Sequence, residues 1–148
     1  MRKLIASLLG DDRGAVVIET AFVVPVLVLM AVGVFESGNM IARQVELQNA
    51  AAEASQIALA APPTDSVTRA TLETIIETST GLDEDQVTVS ESYRCGTAEA
   101  YVTDATTCAA EYSSFIMINL TDQYVPIWSQ IAFGDPIDYN VTRRVQVG

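Results

Sequence analysis

The 148-residue sequence contains no histidine, and its only lysine is Lys3. Most general acid–base and metal chemistry in proteins depends on histidine, so the usual catalytic side chains are in short supply. A GxSxG nucleophile motif is also missing, which leaves only Ser, Thr, Tyr and the carboxylates as reactive groups. We therefore expect a protein that is not an enzyme and that carries no cofactor.

Basic residues are scarce as well, since 8 Lys and Arg stand against 19 Asp and Glu, for a formal net charge of −11. Binding to the phosphates of a nucleic acid needs a basic patch, so we expect no nucleic acid partner. Nevertheless, 49% of the residues are hydrophobic. An acidic chain that solvates itself would be poor in apolar residues, so the apolar and the charged residues must occupy different segments.

The apolar residues concentrate between Ala15 and Phe35, where Glu19 is the only charged residue. As a helix this run would be about 31 Å long, which is about the thickness of the hydrocarbon core of a bilayer. A cleaved secretory signal has a shorter apolar region, of about 7–15 residues. The run therefore predicts a membrane anchor that the chain retains.

The charges on either side of the anchor predict its orientation. Arg2, Lys3 and Arg13 precede the run, and the next basic residue is Arg43. On the positive-inside rule the N-terminus stays in the cytoplasm and the rest of the chain is translocated. Residues 36–148 carry five basic and sixteen acidic side chains, so the exported part is strongly acidic.

A short motif stands where the apolar run begins. The segment DDRGAVVIET resembles the processing site of type IV pilins and pseudopilins, in which a prepilin peptidase cuts after a glycine. In that family a glutamate is the fifth residue of the mature chain. Here the cut would fall between Gly14 and Ala15, and Glu19 would then be fifth.

Further residues along the same segment narrow the resemblance to one subfamily. Pro25, the GVFESG stretch at 33–38 and QNAA at 48–51 resemble the TadE-like pseudopilins of tight-adherence (Tad/Flp) pilus systems. The resemblance covers about residues 10–60, and Gln56 departs from it where a basic residue is expected. The major pilin of these systems is much shorter, so the length of this chain favours a minor pseudopilin.

The resemblance implies a role in pilus assembly, priming or tip formation for surface adherence. It implies as partners the other pilins and pseudopilins of the system, the prepilin peptidase, the inner-membrane assembly platform and the lipid of that membrane. The protein would cross the bacterial inner membrane once, with a periplasmic head, and could enter an extracellular pilus. The alternative is a membrane-anchored acidic adhesin or receptor outside any pilus, which export without cleavage at Gly14 would favour.

Two features of the anchor have a chemical rationale. Cleavage after Gly14 would expose an α-amino group on Ala15 that is largely cationic at neutral pH. Glu19 lies one helical turn further on and could neutralise this amine or, as the resemblance implies, that of a neighbouring subunit. Pro25 removes one helix hydrogen bond and predicts a kink, which would let the subunit bend between bilayer and filament. The alternative is a proline that the membrane helix tolerates.

The whole pattern predicts a pilin-like α+β fold with a long N-terminal helix. We expect a cytoplasmic leader at 1–14, a transmembrane half-helix at 15–35, a periplasmic half-helix at 36–61 and a globular head at 64–148. Apolar residues, most of them alanine, recur at helical spacing along the second half and form a stripe against which the head can pack: Met40, Leu47, Ala51, Ala54, Ala58 and Ala61. Pro62 and Pro63 end this helix.

The head is predicted to contain a second short helix and a small antiparallel sheet. The helix covers approximately 66–80, with Thr64 or Asp65 as its cap and Gly81 as its stop, and its apolar side includes Leu72, Ile75 and Ile76. Alternating or compact apolar patterns predict strands at 86–93, 113–120 and 137–147. Residues 124–134 are typical of a loop or a short helical turn.

Two further residue groups invite a specific interpretation. Cys95 and Cys108 are too far apart for a CxxC redox or zinc pattern. If the head is exported, its compartment favours a disulfide between them, the alternative being two separate buried thiols. Asp83, Glu84 and Asp85 could attract a cation such as Ca²⁺, but the EF-hand spacing is absent, and a solvated turn is the simpler interpretation.

Overall fold

A computed structural model of the chain describes the backbone of residues 12–109, 111–131 and 134–148, and the side chains of these residues except 12–16 and 130–131. Arg2 and Lys3, on which the predicted orientation depends, lie outside the described residues, as does most of the predicted leader. The chain forms two compact units, Met1–Asn39 and Met40–Gly148. Within the described residues the elements make an α+β fold with a long N-terminal helix, a second short helix and a three-stranded sheet, as predicted.

Helix α1 extends over Asp12–Ala60 and contains Pro25. It begins three residues earlier than predicted, and an aspartate in the first turn is favoured by the helix dipole. At its other end the Ala61 amide still donates to the Ile57 carbonyl over 2.8 Å. The proline pair that follows cannot continue the helix, because proline has no amide hydrogen to donate.

Helix α2, Ser66–Thr80, has the bounds that its sequence signals predict. The Asp65 carboxylate accepts hydrogen bonds from the amides of Val67 and Thr68, each over 2.9 Å, and so caps the N-terminus. Gly81 ends the helix in the left-handed conformation, with φ at 68°, and its amide donates to the Glu77 carbonyl.

The face of α2 that packs inward differs from the predicted one. The buried residues are Leu72, Ile76 and Thr80, at a strict spacing of four, while Ile75 is 46% exposed. Burial of the Thr80 hydroxyl is possible because it donates to the Ile76 carbonyl over 2.7 Å. The prediction that Ile75 lies on the packed side of α2 was therefore wrong, while the prediction for Ile76 was correct.

The three strands form an antiparallel sheet in the order β1-β2-β3. They are β1, Val87–Cys95; β2, Tyr112–Tyr124; and β3, Ile137–Gln146. All three predicted strands are present, but β2 extends well beyond the apolar run that predicted it. It does so because both neighbours pair with it along their length, from Cys95 opposite Tyr112 to Ile137 opposite Tyr124.

One hydrophobic core joins the sheet to α2 and to the second half of α1. The predicted stripe on α1 contributes Leu47, Ala51, Ala54 and Ala58, each at most 2% exposed. Met40 is only half-buried, and Ala61 is exposed because the helix has already ended at Ala60. The sheet contributes most of the remaining core residues: Val87, Val89, Ile116, Ile118, Leu120, Tyr139 and Val141.

Candidate membrane anchor and assembly site

The first half of α1 presents an apolar surface that no described part of the chain covers. Between residues 17 and 35 the large apolar side chains are exposed, for example Phe22 at 76% and Leu29 at 69%. The most apolar 18-residue window of this helix has a mean hydropathy of 2.4, and none of it is buried. A helix that is apolar on all sides needs an apolar environment around it. By length and composition α1 can cross a bilayer once.

Gly14 and Ala15 lie in the first turn of α1. The backbone there is helical, whereas a protease acts on an extended peptide. The first four amides of a helix have no acceptor within the helix, so the first turn opens with the loss of fewer hydrogen bonds than the interior. The side chain of Ala15 falls outside the description, and cleavage at this bond stays a prediction.

Glu19 lies one turn beyond Ala15 on the same helix, and its side chain is exposed. No described side chain lies within ion-pair distance of it. A carboxylate at the centre of a bilayer costs about 2.5–3.5 kcal/mol, and less near the interface. A cationic partner close to the membrane surface would therefore stabilise it.

Pro25 is inside α1, with helix on both sides of it. The proline nitrogen cannot donate to the carbonyl of residue 21, so the helix has one hydrogen bond fewer at that point. The bend that the sequence predicts at Pro25, and its use in assembly, stay predictions.

Cys95 and Cys108 form a disulfide, with their Cα atoms 5.2 Å apart, as predicted. The bond closes the connection that leaves β1. Inside this connection the Asp104 carboxylate accepts hydrogen bonds from the Thr106 hydroxyl, over 2.7 Å, and from the Thr106 amide, over 2.8 Å. These hydrogen bonds lower the pKa of Asp104 below its ordinary value, since they favour the charged form. Disulfides are typical of exported domains.

The carboxylates of Asp83, Glu84 and Asp85 stand on an exposed turn that leads into β1. The Asp83 amide donates to the Gln86 side chain over 2.9 Å, which closes the turn. Among the described residues no group of three or more His, Cys, Asp or Glu side chains is arranged to hold a metal ion. The three carboxylates are exposed, in agreement with the simpler interpretation, and cation binding by them stays untested.

The outer face of the sheet carries a cluster that the sequence patterns did not reveal. Its members are Arg94, Tyr101, Phe115 and Arg144, here called the cation–aromatic face. The Arg144 guanidinium lies 4.6 Å from the Tyr101 ring centre, and that of Arg94 lies 5.4 Å from the Phe115 ring centre. The two rings meet edge to face with their centres 5.2 Å apart. The alternation of side chains along each strand predicts that both arginines lie on the solvent-facing side of the sheet. Their closeness depends on the register in which β1 and β3 pair with β2.

One comparison with known proteins gave a match, and the match lies within helix α1. Residues 14–56 match the family model described as TadE-like protein, which confirms the resemblance over that segment. The match begins at Gly14 and covers under a third of the chain. A comparison with curated proteins and one with solved structures each gave no match.

Proposed function

We propose, from the TadE-like segment at residues 14–56, that this protein is a minor pseudopilin of a tight-adherence (Tad/Flp) pilus system. The observation that carries the proposal is the exposed apolar surface of α1, which follows directly on Gly14 and contains Glu19. A surface of this kind serves as a membrane anchor and, outside the membrane, as the packing surface of a helical bundle. The role is one of assembly, not catalysis.

In this proposal the leader stays in the cytoplasm, α1 crosses the inner membrane and the head lies in the periplasm. The basic residues before the apolar run and the acidity after it support this orientation. The Cys95–Cys108 disulfide supports export of the head, because disulfides persist in oxidising compartments.

The proposed mechanism begins with cleavage between Gly14 and Ala15 by the prepilin peptidase. The new amine on Ala15 is cationic at neutral pH, and the Glu19 carboxylate of a neighbouring subunit neutralises it. Both charges then enter the bundle as a pair, which removes much of the cost of placing either one in an apolar environment. Pro25 would let the anchor adapt between bilayer and bundle. The partners are the other pilins and pseudopilins and the assembly platform.

A pair of variants at Glu19 tests this mechanism. Glu19→Ala should remain in the membrane fraction after alkaline extraction, because it makes the anchor more apolar. It should no longer co-purify with the other pilus subunits. Glu19→Asp keeps the carboxylate and is the matched control, and it should retain a measurable part of the co-purification. Co-purification of Glu19→Ala at the level of the unmodified protein would contradict the proposal.

A further inference from the structure

Three arginines of the head form no ion pair with any described carboxylate. Arg43 is held by Asp122 and Glu46, and Arg69 is held by Glu91. The other three form no ion pair with any described residue: Arg94, Arg143 and Arg144. In a chain with a net charge of −11 these unpaired cations are uncommon groups, and their position is informative.

Two of the three belong to the cation–aromatic face. Arg94 alternates with the buried Val87 and Val89 along β1, and Arg144 lies opposite Met117 on β2, so both project from the side of the sheet away from the core. Each guanidinium lies against an aromatic ring, which holds the planar group in place. Stacking covers the flat surface of a guanidinium and leaves its N–H edge free to donate to a carboxylate.

The same face contains two buried polar atoms that find no described hydrogen-bond partner. Among the described residues the buried side-chain polar atoms without a hydrogen-bond partner are Ser92 Oγ and Arg94 Nε. Both belong to β1 on the outer side, beside Phe115, which lies opposite Ser92. Native proteins leave few such atoms unsatisfied. Both are shielded from solvent, so the donor that a docked carboxylate reaches on this face is the guanidinium of the exposed Arg144.

The chain also carries an exposed group of acceptors, the turn of Asp83, Glu84 and Asp85. None of the three carboxylates pairs with a described cation. Arg144 is level with Ser90 across the sheet. Strand β1 begins at Val87, just after the turn; Ser90 lies three residues into it, about 10 Å along, and Arg144 is two strands away, about 10 Å across. The acidic turn forms no ion pair with the described arginines of the cation–aromatic face of its own chain.

We propose that copies of this chain associate head to tail, with the acidic turn of one copy docked on the cation–aromatic face of the next. The two surfaces differ, so the contact is heterologous and can continue from copy to copy in an open row. Ion pairs at a surface are weak individually. Anchoring in a membrane raises the effective concentration of neighbouring heads, so the contact forms there and weakens with salt. This inference goes beyond the proposed function and does not require cleavage after Gly14.

Zero-length carbodiimide cross-linking of the full chain in membrane vesicles tests the contact. The natural head contains no lysine, because Lys3 is the only one in the chain. Arg144→Lys therefore introduces a single amine on the cation–aromatic face. A mixture of ¹⁴N- and ¹⁵N-labelled copies should give a covalent dimer, and mixed-isotope peptides should join the introduced amine to Asp83, Glu84 or Asp85. Raising the salt from about 50 mM to 500 mM should lower the yield several-fold.

Arg143→Lys is the matched control. Arg143 directly precedes Arg144 on β3, lies opposite Ile118 and projects from the other side of the sheet. It should give at least fivefold less of the same dimer. Mixing a Glu84→Lys variant with an Arg144→Glu variant exchanges the two charges. This mixture should give cross-links between position 84 of one copy and position 144 of another. Equal yields from Arg143→Lys and Arg144→Lys, or coupling of the introduced amine mainly to other carboxylates or to another protein, would overturn the proposal. Near-ultraviolet circular dichroism like that of the unmodified protein verifies that each variant is folded.

Discussion

Arg43 on α1 donates a hydrogen bond from Nε to the Oδ2 of Asp122 on β2, over 2.6 Å. The same guanidinium donates to Glu46, over 2.9 Å, and to the carbonyl of Thr80 at the end of α2, over 3.0 Å. Partial burial alone would lower the pKa of Arg43, but the hydrogen bonds to Asp122 and Glu46 raise it above its ordinary value. One permanently charged side chain thus joins three elements of the head.

Loss of the Arg43–Asp122 pair should destabilise the head. We expect Arg43→Ala to lower the free energy of unfolding by about 1–3 kcal/mol, because it leaves the partly buried Asp122 carboxylate without its cationic partner. A double-mutant cycle with Asp122→Ala should give a coupling energy of about 1–2 kcal/mol. Urea unfolding of the detergent-solubilised chain, followed by near-ultraviolet circular dichroism, measures both. The unpaired Arg143 is the control, and Arg143→Ala should change stability by under about 0.5 kcal/mol. A coupling energy near zero would contradict this account of Arg43.

The buried alanines of α1, at positions 51, 54 and 58, are expected to tolerate no larger side chain. Ala54 is 2% exposed within the core, so Ala54→Leu adds volume where the packing leaves no room. Overpacking of this kind costs about 1–3 kcal/mol, measured in the same unfolding experiment. Gln56→Leu, two residues along the helix at an exposed position, is the control and should have little effect. Similar losses of stability in both variants would show that leucine on α1 is harmful for a reason other than packing.

The disulfide should stabilise the head through the loop that it closes. The two cysteines are 13 residues apart, and a loop of this length gives about 3 kcal/mol in the chain-entropy model. Cys95→Ser/Cys108→Ser should therefore unfold at a lower urea concentration than the oxidised protein, and reduction of the unmodified protein should have a similar effect. If reduction left the unfolding midpoint unchanged, the loop would not constrain the unfolded chain as proposed.

Acid should weaken the cap of α2. The amides of Thr68 and Val67 hydrogen-bond to the Asp65 carboxylate and lower its pKa below the ordinary value. A carboxyl group with a lowered folded-state pKa contributes stability that is present above its unfolded pKa, about 3.9, and lost as the pH falls through the folded-state value. Asp65→Asn keeps an N-cap acceptor but cannot ionise. Its stability should therefore depend less on pH between about pH 4 and 2, and Asp65→Asn/Asp104→Asn should depend on pH less still. Unchanged pH dependence in the double variant would count against this origin of acid sensitivity.

The sequence predicts best those features that depend on neighbouring residues. The bounds of α2 follow from Asp65 and Gly81, which act through hydrogen bonds one turn away. The end of α1 follows in the same way from Pro62 and Pro63. The membrane anchor can be predicted because a long apolar run is visible in the sequence without any knowledge of which residues pack against it.

Features that depend on distant residues were missed or misplaced. Ile75 and Ile76 are equally apolar, and only the direction from which the sheet packs decides that Ile76 is buried. The cation–aromatic face needs the register of two strand pairs and the position of Tyr101 in the connection after β1. No local pattern encodes these relationships, since Arg94 and Arg144 are 50 residues apart in the sequence.

The identity of the mature N-terminus tests the central claim most directly. The full chain should be expressed in cells with and without an active prepilin peptidase, purified from membranes and analysed by intact-mass and N-terminal peptide mass spectrometry. The account predicts a chain that starts at Ala15 when the peptidase is active and an uncleaved leader when it is not. A chain that keeps residues 1–14 in cells with an active peptidase would contradict it.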